Sequence, residues 1–176
     1  MRSPFDILEA YERRSLAHAV QLPERQFAQD LWRGVGYRVG HRRLVSDFRE
    51  VVEIVPMPPV TPVPCAQPWL LGVGNLRGNL FPVIDLKLFL EGARTVQQEG
   101  QRVLVMRQAG GDVALTIDEL YGQRSFELDQ EVAAGGLAEG RYAHFVERAF
   151  HADDHDWGVF SLSLLSRTPE FRQAAA

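Results

Sequence analysis

The stretch Pro68–Leu86, P-W-L-L-G-V-G-N-L-R-G-N-L-F-P-V-I-D-L, constrains the fold more than any other part of the chain. Its apolar run Trp69-Leu70-Leu71 ends at Gly72, a residue suited to the left-handed close of a helical turn. Val73–Leu76 then reads as one strand and Leu80–Ile84 as a second. Between them Arg77, Gly78 and Asn79 carry turn chemistry, because Gly and Asn tolerate positive φ. Pro82 donates no backbone hydrogen bond and marks an edge or bulge position. Asp85 is placed to cap a short helix over Leu86–Leu90. The result is an apolar hairpin with a polar tip that holds Arg77 beside a glycine. Such a position suits a merely soluble turn residue and a presented binding residue alike.

The run Gly72-Val73-Gly74-Asn75-Leu76-Arg77-Gly78, followed by Pro82-Val83-Ile84-Asp85-Leu86, resembles the signature of CheW-like coupling proteins, G-V-x-N-L-R-G-x-x-x-P-V-x-D-L. Every fixed letter is present at the right spacing, and the likeness extends over Trp32–Leu165. The resemblance implies a mainly β fold of two intertwined SH3-like, five-stranded barrel lobes with short helices. On that reading residues 1–31 are an N-terminal helical extension, 32–168 the two-lobed body and 169–176 a tail. It also implies a non-catalytic adaptor without a cofactor. Its partners would be the regulatory domain of a CheA-type histidine kinase and the cytoplasmic tip of a chemoreceptor. The groove between the lobes would receive the helical receptor tip, with Val51, Glu53 and Arg77 facing it. Within the family, the likeness is to the coupling protein of the chemosensory system that controls type IV pilus twitching.

Composition is that of an ordinary soluble globular protein. The chain has 176 residues, 45% of them hydrophobic and 24% charged. A net charge of −4 argues against a nucleic-acid binder, which carries a basic excess. The single Cys65 cannot form an intrachain disulfide, so a reducing compartment is expected. Met1–Val20 has no long apolar run, so neither a signal peptide nor membrane insertion is expected, and the cytoplasm is the default location.

Ser3-Pro4-Phe5-Asp6 reads as a helix start, and a helix is expected to run to about Ala19. Its stripe of Phe5, Leu8 and Tyr11 suits docking on the body or gripping a partner. From Trp32 the pattern becomes β, with Val35, Tyr37 and Val39 alternating with Gly36, Arg38 and Gly40. Arg38, Arg42 and Arg43 are followed by Asp47, Glu50 and Glu53, which reads as a solvated strand face. The prolines of Pro56–Pro64 mark an extended connector within the domain. Arg102–Met106 and Val113–Ile117 read as paired strands, with another near Gln123–Leu128. Trp32–Val55 and Arg102–Leu128 are therefore candidate halves of an internal duplication. Val132–Arg141 reads as an exposed loop, Tyr142–Phe150 and Trp157–Leu162 as strands, and Ser163–Arg167 as a closing helix.

Two alternatives stand beside the adaptor. One is an SH3-like peptide-binding module unrelated to chemotaxis. The other is a metal-dependent hydrolase using His151, Asp153 and His155. The loop His151–Asp156 lacks the spacing that puts two ligands on one helical face, and it reads as a polar hairpin loop before a metal site. No phosphate loop, nucleophile elbow or HExxH pair occurs.

Overall fold

The computed structural model describes residues 31–174, and the expected N-terminal helix lies outside them. The first seven β-elements are β1 (Trp32–Val39), β2 (Arg42–Asp47), β3 (Val51–Pro56), β4 (Val60–Thr61), β5 (Leu70–Leu76), β6 (Asn79–Ile84) and β7 (Arg102–Gln108). They are followed by β8 (Gly111–Thr116), β9 (Glu119–Phe126), β10 (Glu131–Val132), β11 (Val146–Ala152) and β12 (His155–Phe160). Helix α1 (Leu86–Glu91) follows β6, while α2 (Leu162–Arg167) and α3 (Pro169–Arg172) follow β12.

These strands make two six-stranded sheets, each the wall of one lobe. The first has the order β10-β11-β12-β2-β1-β9 and the second β3-β7-β8-β6-β5-β4. In each, five longer strands are joined by a two-residue one, β10 or β4. The lobes are interwoven. Hairpin β1–β2 stays in the first lobe, but β3 crosses to pair with β7 in the second. Hairpin β7–β8 stays in the second lobe, and β9 crosses back to pair with β1.

The duplication is confirmed in topology and is longer than its expected halves. β5, β6 and α1 match β11, β12 and α2 in length and spacing, end to end. The parallel joints also correspond: β6 meets β8 at Val83↔Ala114 as β12 meets β2 at Val159↔Val45. Both crossing strands carry their bulge at the same place. Val52 is the extra residue of β3 and Tyr121 that of β9. Conservation of bulges across the repeat marks them as features of the fold rather than accidents.

Three apolar clusters hold this arrangement. The largest lies between the lobes and draws on both, from Tyr37, Val39 and Leu44 to Leu86, Leu104 and Leu165. The second lobe has its own aliphatic centre around Val55, Val83, Val103 and Val105. The first has an aromatic one of Phe126, Phe150 and Trp157. Trp69 is buried in the shared core, stacked on Phe171 at 6.0 Å and edge-on to Phe89 at 5.2 Å.

Three sequence expectations change here. Residues 169–174 are not all tail: α3 forms, Phe171 is fully buried, and Ala174 accepts a backbone bond from Gln67. Tyr142 does not begin a strand; it sits buried in a 3-10 turn over Gly140–His144, and β11 starts only at Val146. The arginines of β1–β2 are not a solvated face balanced by nearby acids. Arg38 pairs with Glu119 and the largely buried Arg42 with Glu91, both far along the chain.

Candidate functional site

The signature hairpin is fixed by its own sequence. β5 and β6 pair up to Leu76↔Asn79, leaving Arg77-Gly78 as a two-residue turn. Both turn residues have positive φ, +53° and +88°. This is the type I′ geometry, one of the two favoured for two-residue hairpins because its twist matches that of the strands. Asn75 Oδ1 accepts from the Gly78 N–H at 3.0 Å and braces the turn. Asn79, expected in the turn, instead opens β6. Gly72 does not end a helix. It lies within β5 at φ +144°, where a Cβ would strike the Thr61 carbonyl. Pro82 pairs with Val73 of β5, and β6 is not an edge strand but lies between β5 and β8, with its bridges to β8 beginning at Val83, just past the proline. Asp85 caps α1 through Leu88 N–H at 3.1 Å, and its carboxylate also takes the Thr95 hydroxyl at 2.7 Å and the Thr95 N–H at 3.0 Å.

The turn presents Arg77 to solvent with its side chain 74% exposed. Its Nη2 lies 3.1 Å from Oε1 of Glu53 on β3, itself 39% exposed. Two of the three expected receptor-facing residues are thus brought together, and they bind each other. Val51 is not beside them. The bulge at Val52 turns β3, and the half-buried Val51 packs on the core between the lobes.

Glu53 and Arg77 line a groove of ≈ 390 Å³ with Val52, Leu80, Phe81 and Asp112. All of these come from the second lobe, so the expected location between the lobes is corrected: the charged pair sits at the mouth of one lobe. Apolar surface here is uncommonly open, with Leu80 71% and Val52 42% exposed. On the opposite rim Arg107 Nε approaches Asp112 Oδ1 at 3.6 Å. A larger groove of ≈ 440 Å³ does lie at the lobe junction, lined by Phe89, Arg141, His144, Phe145 and Leu164, but it contains none of the expected residues.

The loop His151–Asp156 is a hairpin turn. His151 Nδ1 meets Asp156 Oδ1 at 2.6 Å, while Asp153 pairs with Arg124 at 3.3 Å. Among the described residues no three His, Cys, Asp or Glu side chains converge on one point.

The CheW-like domain profile matches residues 33–170. The chain belongs to the CheW-like family. It is 31% identical over 175 residues to protein PilI of Pseudomonas aeruginosa, covering 99% of this chain and 98% of that one. It is 30% identical over 112 residues to the chemotaxis protein CheW of Helicobacter pylori, covering 64% of this chain and 67% of its relative. The crystal structure of the scaffolding protein TtCheW from Thermoanaerobacter tengcongensis superposes with a TM-score of 0.66 at 21% identity, over 78% of this chain and 93% of the other. The chain is therefore a PilI-like member of that family, and its two lobes are the SH3-like subdomains of the fold.

In this CheW-like chain the sequence signature found the hairpin but not the groove it serves. Val52, Leu80 and Asp112 escaped attention. Leu80 read as a strand residue, and only the bulge at Val52 and the place of Leu80 next to the hairpin turn expose them. An apolar residue one position off the alternation of an edge strand is the available signal.

Proposed function

We propose that this chain is a non-catalytic adaptor that couples a chemoreceptor to a CheA-type histidine kinase, in a PilI-like pathway controlling type IV pilus twitching. The observation that carries the reading is the end-to-end similarity to PilI together with an intact signature hairpin whose arginine is held out from the fold. No helix among the described residues is long and apolar enough to cross a membrane. On this reading the adaptor joins membrane arrays through its receptor. Glu53 and Arg77 are the receptor-facing charges, and Val51 supports them by packing β3 against the core. The kinase's related regulatory domain binds elsewhere on the lobes.

The Glu53–Arg77 pair is exposed and adds at most ~1 kcal/mol to stability. Exchanging it for a partner's charges therefore costs the fold little. At an interface the same arginine can contribute ~2 kcal/mol or more. Arg77→Glu places two carboxylates together at the groove. The expected outcome is a folded variant that retains kinase binding and loses receptor co-sedimentation, and with it receptor control of the kinase. Receptor binding equal to the parent would refute this placement.

A further inference from the structure

The two lobes are built on one plan, so the filled mouth of one indicates what the open mouth of the other accepts. Register pairs the positions unambiguously. The bulge residues Val52 and Tyr121 correspond, as do Phe81 and Trp157 in the matching strands β6 and β12. Asp112 and Arg43 correspond in β8 and β2, opposite Arg107 and Arg38. The turn residue Arg77 corresponds to Asp153, and both have φ near +53°.

In the first lobe this mouth is filled from within by arginine. The Arg43 guanidinium lies 5.5 Å from the Tyr121 ring centre and 5.8 Å from that of Trp157. Arg124 lies 4.8 Å over Trp157 and reaches Asp153 at 3.3 Å. Stacking on aromatic faces with a carboxylate at the end of the stem is the setting in which arginine binds best. In the second lobe, at these positions, Asp112 replaces Arg43 and the buried Val55 of β3 replaces Arg124. The turn arginine leans out to Glu53 instead. The mouth stays open, with an apolar floor at Leu80 and Phe81 and carboxylates at Glu53 and Asp112.

We propose that the second-lobe groove takes an arginine side chain from a partner protein, presented next to an apolar residue. The arginine stem lies on Leu80 and Phe81, its guanidinium meets Glu53 and Asp112, and the neighbouring apolar residue covers Val52. Glu53 and Asp112 each already hold an exposed arginine, Arg77 and Arg107. Such pairs exchange at little cost. Arg77, once released, is free to take a carboxylate from the same partner. The inference rests on the groove being a partner site and adds the chemistry that the site reads.

The probe is the blocked peptide acetyl-leucyl-arginyl-leucinamide, titrated into the full chain and followed by backbone amide NMR. Its control replaces arginine with citrulline, which keeps the shape and loses the charge. The expected result is saturable shifts at Val52, Glu53, Leu80 and Asp112, with the citrulline peptide binding at least about tenfold more weakly, the scale of one charge-assisted contact. The double variant Glu53→Gln, Asp112→Asn should lose the shifts while its remaining spectrum shows an intact fold. Asp112→Arg should lose them too, by giving the groove its own guanidinium as Arg43 does in the first lobe. Equal binding of the citrulline peptide, or no saturable shift at the groove, overturns the proposal. If the peptide fails while Arg77→Glu abolishes receptor binding, the groove is a receptor site of other chemistry and this inference falls. If the peptide binds while Arg77→Glu leaves receptor binding intact, the arginine site stands and the receptor placement falls.

Discussion

At the scale of residues, the hairpin turn is a compromise between a shape and a charge. The type I′ turn demands positive φ at both central positions. Gly78 meets that demand freely, whereas Arg77, at φ +53°, is a side chain held where few other than Gly, Asn and Asp settle. Asn75 offsets the strain by accepting from the Gly78 N–H. Asn75→Ala should therefore destabilise the chain by about 0.5–1 kcal/mol, the net worth of one exposed hydrogen bond. It should also loosen Arg77 more than it loosens the fold. Urea unfolding gives the first quantity, and amide exchange at Gly78 gives the second; unchanged exchange there would show that Asn75 does not hold the turn. The sequence displayed every residue of this turn but not its boundaries. Arg77-Gly78-Asn79 holds two overlapping two-residue turns, and only the pairing of Leu76 with Asn79 selects one.

At the scale of elements, the two equivalent helices start in different ways. Asp85 caps α1 from within its own segment and was legible as a cap from sequence. Ser161 caps α2, accepting from Leu164 N–H at 3.2 Å, but a second acceptor reaches in from the β2–β3 turn. The Glu50 carboxylate accepts from Leu162 N–H at 3.0 Å, Ser163 N–H at 3.1 Å and the Ser161 hydroxyl at 3.3 Å. A carboxylate at a helix N-terminus satisfies free donors and complements the helix dipole. Glu50 lies 111 residues from Ser161, so no local pattern distinguishes it from a solvated charge. It stands where β3 leaves one lobe for the other, and the cap pins that crossing. Glu50→Ala should cost about 1–2 kcal/mol, within the range for losing a cap. The loss should appear in thermal melts and should accelerate amide exchange at Leu162 and Ser163. Normal protection at those amides would mean that Ser161 alone secures the helix.

At the scale of the whole molecule, strand periodicity was legible and the exchange of strands was not. Alternation placed Val35, Tyr37 and Val39 on a buried face, yet nothing local shows that β3 pairs with β7 rather than with β2. Long-range pairing is decided by burial of the shared core, to which both repeats contribute. A polar cluster within this junction gives a measurable signature. Tyr142 donates to Glu91 Oε1 at 2.9 Å, Arg42 Nη1 lies 3.3 Å from the same oxygen, and the Arg42 guanidinium stacks 4.3 Å above the Tyr142 ring. The cluster joins β2 to α1 and to the 3-10 turn before β11. Burial, then the adjacent Glu91 carboxylate, raises the Tyr142 phenol well above its ordinary value. Burial likewise raises Tyr37, which is bonded to Ser46 at 2.8 Å. The unfolded phenols titrate near pH ~10, while the folded ones hold their protons to higher pH. Above that point the unfolded state binds fewer protons than the folded state, so stability falls as pH rises. The contribution is complete below pH ~10 and is lost progressively above it. Each tyrosine adds a slope of at most about 1.4 kcal/mol per pH unit. Tyr142→Phe should be less stable than the parent at neutral pH by about 1 kcal/mol, through loss of the bond to Glu91. It should then lose less stability between pH 10 and 11, by up to roughly the slope of one group. Urea midpoints of both proteins across that range test this. Parallel alkaline slopes would show that the Tyr142 phenol does not titrate differently in the folded and unfolded chains.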